Sequence, residues 1–200
     1  MTCWQCGLPA DALFCGGCKA LQPPPSGYFE FYGFPRKLAI DSAELQRRYY
    51  ALSRQLHPDR FTRRSAREQA LALEASSILN DGLRVLRDPV ERAEYVLTAE
   101  GFAMPGQRTK DVPPELLEEV FELNLALEEM RSGDASARPA LETARSHFQS
   151  MLNGADSELA GLFARWDESG DRAELARIRG VLNRRKYITN LVRDVNQALQ

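Results

Sequence analysis

Residues suited to catalysis are scarce in this chain. It has two histidines, His57 and His147, and no nucleophile motif stands beside either, so no pattern for covalent or acid–base catalysis is present. No apolar run approaches the roughly 18 residues that a membrane-spanning helix requires. The start, Met1-Thr2-Cys3, leaves no room for a leader ahead of the first cysteine, and the cytoplasm is the expected compartment. Charge is nearly balanced, at a formal −2, so no global excess recommends nucleic acid as a partner. Strand arrays, tandem repeats and low-complexity tracts are missing as well. What is left is a globular composition, 44% hydrophobic and 27% charged over 200 residues, enough for one to three compact units.

Two stretches punctuate the chain. Leu21-Gln22-Pro23-Pro24-Pro25-Ser26-Gly27 cannot continue a helix and reads as an extended connector. Gly101, Pro105, Gly106, Pro113 and Pro114 mark a second boundary. Between them, Asp41-Ser42 supplies cap residues ahead of Leu45, Tyr49, Leu52 and Leu56 on one helical face, and this helix should stop at His57-Pro58. A second run, residues 65–86, carries Ala72, Ala75, Leu79, Leu83 and Leu86 at spacings of three and four. The two helices can pack antiparallel across the loop holding His57-Pro58-Asp59, and a shorter helix follows Asp88-Pro89 to about residue 99. Beyond the second boundary the periodicity is helical throughout: Leu116, Val120, Leu123 and Leu127, then Leu141, Ala144, Phe148 and Met151, then Leu175, Ile178, Leu182 and Val195. A three-helix bundle is the simplest packing, with its middle helix running through Asn153-Gly154 to about Trp166. The expectation is an all-α protein in three parts, at 1–20, 27–100 and 112–200.

All four cysteines fall in one segment, as Cys3-Trp4-Gln5-Cys6-Gly7 and Cys15-Gly16-Gly17-Cys18. In a reducing compartment so tight a cluster points to metal rather than to disulfides. Two residues between paired thiolates let each chain reversal aim both sulfurs at one ion, and Gly7, Gly16 and Gly17 permit the positive φ that tight knuckles need. Four thiolates in a tetrahedron suit zinc, with iron in the same cage as the alternative. No coordination position is left for substrate, so Cys3, Cys6, Cys15 and Cys18 are read as a structural site without which this segment does not fold. Because a connector follows, loss of the site is expected to leave the helices largely intact.

His57-Pro58-Asp59 lies where an arginine-bearing helix meets a loop, with a second helix after it and Phe61 close behind. In that setting it resembles the J-domain family, whose His-Pro-Asp tripeptide sits between two antiparallel helices and contacts the ATPase domain of a DnaK-type chaperone. Tyr28-Phe29-Glu30-Phe31-Tyr32-Gly33-Phe34-Pro35, Leu86-Arg87-Asp88-Pro89 and Arg92-Ala93-Glu94-Tyr95-Val96-Leu97 resemble the HscB-type subfamily, as does Phe61. The double Cys-x-x-Cys followed by Leu21-Gln22-Pro23-Pro24 is similar to the amino terminus of some members. The resemblance covers nearly the whole chain and is most specific over residues 28–97. It implies that His57, Pro58 and Asp59 touch a chaperone ATPase. Arg47, Arg48, Arg54 and Arg60, on or beside the helix leading into the tripeptide, suit an acidic partner and would speed encounter more than they strengthen the complex. For any one arginine, a merely solvated helix face is the plainer reading.

On the helix starting near Glu115, Leu117, Phe121 and Leu125 form a second apolar row beside the core stripe. Such a row either widens the core or makes an exposed patch rimmed by Glu118, Glu119 and Glu122. HscB-type proteins bind an iron–sulfur scaffold protein through this region, and the resemblance carries that role to Leu117, Phe121, Glu122 and Tyr187. Glu118 stands where the family has an apolar residue, and Leu125 where it has glutamate. The resemblance thus implies a non-enzymatic co-chaperone that stimulates a DnaK/HscA-type ATPase and delivers an IscU-like scaffold to it. Two alternatives stay open: a J-domain protein with another client, and a zinc-ribbon nucleic-acid module fused to a J-domain. The second is disfavoured, because residues 1–20 offer one lysine, Lys19, with Trp4 and Phe14.

Overall fold

The computed structural model of the chain describes residues 1–10, 12–102 and 116–200. Pro105, Gly106, Pro113, Pro114 and Glu115, and with them the expected start of the last part at 112, lie outside those residues. Contacts group the chain into two units, residues 1–95 and 96–200. All regular elements among the described residues are helical, as expected, and the β pairing there is limited to two isolated bridges inside the cysteine segment.

The first unit is built on a helical hairpin. Helix α2 (Ser42–Leu56) starts where Asp41 caps it, the carboxylate accepting from Ala43 N at 2.8 Å and Glu44 N at 3.3 Å. It ends at Leu56 because Pro58 bars helical geometry at His57, whose ψ is 126°. One 3-10 turn, Pro58–Phe61, carries the chain round. Helix α3 (Ala66–Arg87) then begins under the cap of Ser65, whose Oγ accepts from Glu68 N at 3.3 Å. Leu45, Leu56, Phe61, Ala72, Ala75 and Leu79 are buried in this unit.

The motifs that resemble HscB-type proteins are structural joints. Tyr28 to Tyr32 form a short helix, α1 (Tyr28–Tyr32), which the periodicity does not announce because five residues are too few to show a repeat. The Tyr32 hydroxyl donates to Leu79 O at 2.6 Å, and Tyr28 N donates to the Tyr95 hydroxyl at 3.1 Å. Tyr95 belongs to α4 (Pro89–Ala99), as does Arg92, which is buried and donates to Leu38 O at 2.8 Å and to Leu86 O. Its cation thereby faces the carbonyl end of α3, where positive charge is favoured.

The connector is not an open tether. Leu21 and Gln22 are buried, Trp4 Nε1 donates to Leu21 O at 2.7 Å, and the Arg67 guanidinium lies 4.5 Å from the centre of the Trp4 ring. Glu68, buried in the first turn of α3, accepts from Leu21 N at 3.5 Å and from the Ser65 hydroxyl at 3.3 Å. The cysteine segment therefore rests on α3. The expectation that its loss would leave the helices intact is revised accordingly.

The second unit holds α5 (Leu117–Arg131), α6 (Arg138–Ser169) and α7 (Arg172–Ala198). The expected α5 stripe of Leu116, Val120, Leu123 and Leu127 packs with Leu141, Phe148, Leu152, Ile188, Leu191 and Val195 in one core. Helix α6 runs unbroken through Asn153-Gly154 and closes at Gly170, whose φ of 65° is the left-handed cap. Asp171 then caps α7 by accepting from Ala173 N at 2.8 Å, so two residues make the whole turn. Arg185 Nε reaches Asp156 at 2.5 Å, and Arg184 pairs with Glu158, across the same two helices. The end of α4 also belongs here: Arg172 donates to Glu100 O at 2.8 Å and covers the Phe102 ring.

Two helical glycines separate packing from propensity. A Cβ on Gly82 would stand 2.9 Å from the Tyr32 ring and 3.2 Å from the Tyr28 ring, whereas one on Gly154 would meet nothing within 4 Å. Gly82→Ala should therefore destabilise by about 1–3 kcal/mol despite its better helix propensity, and Gly154→Ala should stabilise by about 0.5–1 kcal/mol. Denaturant unfolding of the two variants checks both signs.

Candidate metal centre and partner-binding faces

The cysteine segment consists of two turns of the same design. Cys3 N donates to Leu8 O at 2.7 Å and Gly7 N to Cys3 O at 3.0 Å; in the second turn Cys15 N donates to Ala20 O at 2.9 Å and Lys19 N to Cys15 O at 3.0 Å. The bridges Thr2–Pro9 and Phe14–Leu21 close them at equivalent points. Gly7 takes the left-handed position of the first turn, with φ 74°, as anticipated. In the second turn that position falls on Lys19, with φ 61°, and not on Gly16 or Gly17. The Lys19 ammonium compensates locally by donating to Gly16 O at 2.9 Å.

This design brings the four sulfurs within 4.8 Å of one another, with Cys3–Cys18 and Cys6–Cys15 each at 3.6 Å. Cys3 and Cys15 are buried, Cys18 is half-buried and Cys6 exposed. Burial pushes the Cys3 thiol up, but the N–H groups of Cys6 and Gln5 and the neighbouring thiols bring it down to about 6. The N–H of Cys18, with that of Gly17, likewise lowers Cys15 against its burial. Cys18 goes the other way: the Ala20 N–H lowers it, yet burial and three adjacent thiols raise it to about 12. One buried thiolate thus strongly opposes a second, which is the condition a bound cation relieves. The four cysteines are positioned to bind a metal ion.

At the C-terminal end of α2, His57 caps the 3-10 turn that holds Pro58 and Asp59. His57 and Asp59 are exposed; Nδ1 of His57 accepts from Asp59 N at 3.3 Å and lies 3.5 Å from Asp59 Oδ2. Buried Phe61 anchors the turn from below. Side chains of α3 hold its backbone: Ser76 Oγ donates to Leu56 O at 3.3 Å, and Gln69 Nε2 to Arg64 O at 2.9 Å. The imidazole and the carboxylate therefore project from a braced corner.

The four arginines singled out in the sequence divide into two kinds. Arg47 and Arg48 both pair with Glu44, at 2.7 Å, and Arg48 also donates to Tyr32 O and Gly33 O and lies over the Phe34 ring. Arg48 is thus the clasp between α1 and α2. Arg54 and Arg60 are exposed and make no ion pair among the described residues. Arg63 and Arg64, exposed on the same loop and equally unpaired, belong with them. Their adjacency to the tripeptide in sequence was the available signal.

On α5 the surplus row is exposed: Phe121 at 71%, Leu117 at 56% and Leu125 at 55%. Glu122 is exposed beside it. Tyr187 does not share that exposure. It is half-buried and packs against the bundle core, and burial pushes its hydroxyl pKa up.

These features can be set beside known proteins. The family "HSCB C-terminal oligomerisation domain" matches residues 112–196. The human iron–sulfur cluster co-chaperone protein HscB is 30% identical over 196 residues, which is 94% of this chain and 78% of that one. The chain belongs to the HscB family of co-chaperones. The HscB homologue of Vibrio vulnificus strain YJ016 is 32% identical over 148 residues, covering 72% of this chain and 85% of its own. The crystal structure of the human HscB co-chaperone covers 98% of both chains with a TM-score of 0.77 at 26% identity. The solved structure of the chaperone HscB from Vibrio cholerae covers 86% of this chain and 96% of its own, with a TM-score of 0.62 at 27% identity. Among the described residues, no helix of this HscB-family chain is long and apolar enough to cross a membrane.

The geometry of the cysteine segment gives a direct test. If the four cysteines hold a metal, stripping it with a chelator should loosen Leu21 and Trp4 from Glu68 and Arg67, lowering the stability of the helical signal by about 1–2 kcal/mol. Circular dichroism melts before and after stripping, with elemental analysis for one equivalent of metal, check it. A melt unchanged after complete metal release would mean that the segment does not support the hairpin.

Proposed function

We propose that this chain stimulates the ATPase of a DnaK/HscA-type chaperone and delivers an iron–sulfur cluster scaffold protein to it, without catalysing a covalent step itself. The observation that carries the reading is the corner at His57-Pro58-Asp59: an exposed imidazole and carboxylate on a braced turn, flanked by the cations of Arg54, Arg60, Arg63 and Arg64, which make no ion pair among the described residues. A protein that needed these charges for its own fold would pair them. The chaperone-binding face is accordingly the tripeptide with these four arginines; Arg48 serves chiefly to hold α2 to α1, and Arg47, exposed and paired only with Glu44 of its own helix, lies beside that face. The scaffold-binding face is the row of Leu117, Phe121 and Leu125 with Glu122, while Tyr187 packs against the bundle core. One chain carrying both faces raises the concentration of client at the chaperone without tight contacts at either. Relatives named as iron–sulfur cluster co-chaperones support this choice of client. The proposed compartment is the cytoplasm.

Zinc is the proposed ion at Cys3, Cys6, Cys15 and Cys18, in a structural role. Four sulfurs gathered on a common centre fill a tetrahedron and leave no position for substrate. Bound there, the ion supplies charge neutralisation and a cross-link between the two turns.

Two experiments test the reading. His57→Gln should leave the fold within about 0.5 kcal/mol, since the side chain is exposed, and should abolish stimulation of chaperone ATP turnover. Replacing Arg54, Arg60, Arg63 and Arg64 together by glutamine should slow association, with a deficit that shrinks as salt rises. Stimulation by His57→Gln equal to that of the parent would overturn the assignment of the tripeptide.

The α5 face yields a paired comparison. Phe121→Ala should weaken scaffold binding by about 2 kcal/mol or more while changing stability little. Tyr187→Ala should instead cost stability, because its half-buried ring packs against the core. Calorimetric titration with the scaffold, read beside thermal melts, separates them; normal binding by folded Phe121→Ala would move the client site elsewhere.

A further inference from the structure

Gln22 is 1% exposed, yet its amide is poorly served by its surroundings. Nε2 donates to Ala20 O at 2.8 Å and to Cys3 Sγ at 3.4 Å, while Oε1 is buried with no hydrogen-bond partner among the described residues. Turning the amide over would set an oxygen against the Ala20 carbonyl and against the sulfur, two acceptors, so the observed orientation is the one the site permits. A buried glutamine that orphans its oxygen to aim its nitrogen at a sulfur is doing something other than filling space. Its backbone is fixed for that task, Gln22 N donating to Leu13 O at 2.8 Å.

Four thiolates around a divalent ion leave a net charge of about −2, held here on sulfurs of which two are buried. Such charge must be met by donors. Backbone N–H groups serve it: Gln5 N lies 3.4 Å from Cys3 Sγ, and the amides of Cys6, Gly17, Cys18 and Ala20 serve Cys3, Cys15 and Cys18. Among the described residues, Gln22 is the side chain that adds to this set. It also sits one residue after Leu21, the contact with Glu68 of α3, so it ties the metal cage to the hairpin.

We infer that Gln22 is an outer-sphere residue of the metal site, its amide donating to the Cys3 thiolate and stabilising the charged, metal-loaded cage. This rests on the reading that the four cysteines hold a metal. A residue that merely fills space predicts the opposite of this role at one substitution. Gln22→Met keeps the length and removes the orphan oxygen, so for a filler it should raise stability and leave metal binding unchanged.

The test uses the full chain loaded with cobalt(II). Gln22→Met should lose cobalt to a competing chelator at about 10- to 100-fold lower chelator concentration than the parent, the scale on which groups behind metal ligands act. Its sulfur-to-cobalt charge-transfer band should move to lower energy, because a thiolate without its donor holds electrons less tightly. Gln22→Glu, which sets a carboxylate against the thiolate, should weaken cobalt further. A folded Gln22→Met with the band and the chelator midpoint of the parent overturns the proposal. Should that variant not fold, the parent decides alone: with cadmium-113 bound, the Gln22 side-chain amide proton that faces Cys3 should show scalar coupling to the metal through Cys3 Sγ, and its lack of coupling overturns the proposal. If the parent binds neither ion, the reading of the cysteines as a metal site fails, and the assignment of Gln22 with it.

Discussion

Pro58 has no N–H, and its ring excludes helical geometry at the residue before it, so α2 ends at Leu56 however helical its composition. The chain must then reverse within a few residues, and the reversal is solved by one 3-10 turn with Phe61 as its buried foot. The consequence is positional. With Phe61 held below and Ser76 and Gln69 bonding the carbonyls beside the turn, His57 and Asp59 are left on the outside. The same residue that breaks the helix thus presents the side chains beside it.

The amino-terminal segment meets a different constraint, that of size. Its own core is little more than Cys3, Ala10 and Cys15, too small to offset the ordering of twenty residues by hydrophobic burial. The paired turns substitute a point of convergence for a core, four sulfurs in place of four apolar side chains. The remaining apolar surface is shared with the hairpin, since Trp4 and Leu21 make their contacts with Arg67 and Glu68. A segment that borrows its second layer from α3 cannot be indifferent to α3.

Much of this was legible in the sequence, because the signals were local and redundant. The ends of α2 and α3 are each announced by a cap and a breaker, and the core stripe of α5 by spacing alone. Paired Cys-x-x-Cys motifs announced the cage. What stayed hidden depended on contacts between distant residues. Nothing near Arg48 says that it clasps α1 rather than facing a partner, because the carbonyls it serves lie fifteen and sixteen residues away. Gln22 reads as one polar residue in a proline-rich connector until Cys3 is placed 3.4 Å from it. Lys19 in a left-handed position was equally unreadable, since glycine two and three residues earlier offered the cheaper choice.

Helix α5 shows how the two demands on a surface are kept apart. An apolar side chain at each of Leu116, Val120, Leu123 and Leu127 already fills its side of the bundle. The row displaced by one residue, Leu117, Phe121 and Leu125, therefore faces outward, where its exposure stabilises nothing in the isolated chain. Large apolar groups kept at such positions make sense when a partner covers them, and the acidic residues interleaved with them, Glu118 and Glu122, keep the row soluble while it is uncovered. Tyr187 stands on the other side of that division: the resemblance to the family grouped it with the row, yet its ring packs against the core. Substitutions along α5 are thus expected to sort by a shift of one position, affinity on one row and stability on its neighbour. That sorting follows from the helical period of 3.6 residues, which lets adjacent rows share an axis and little else.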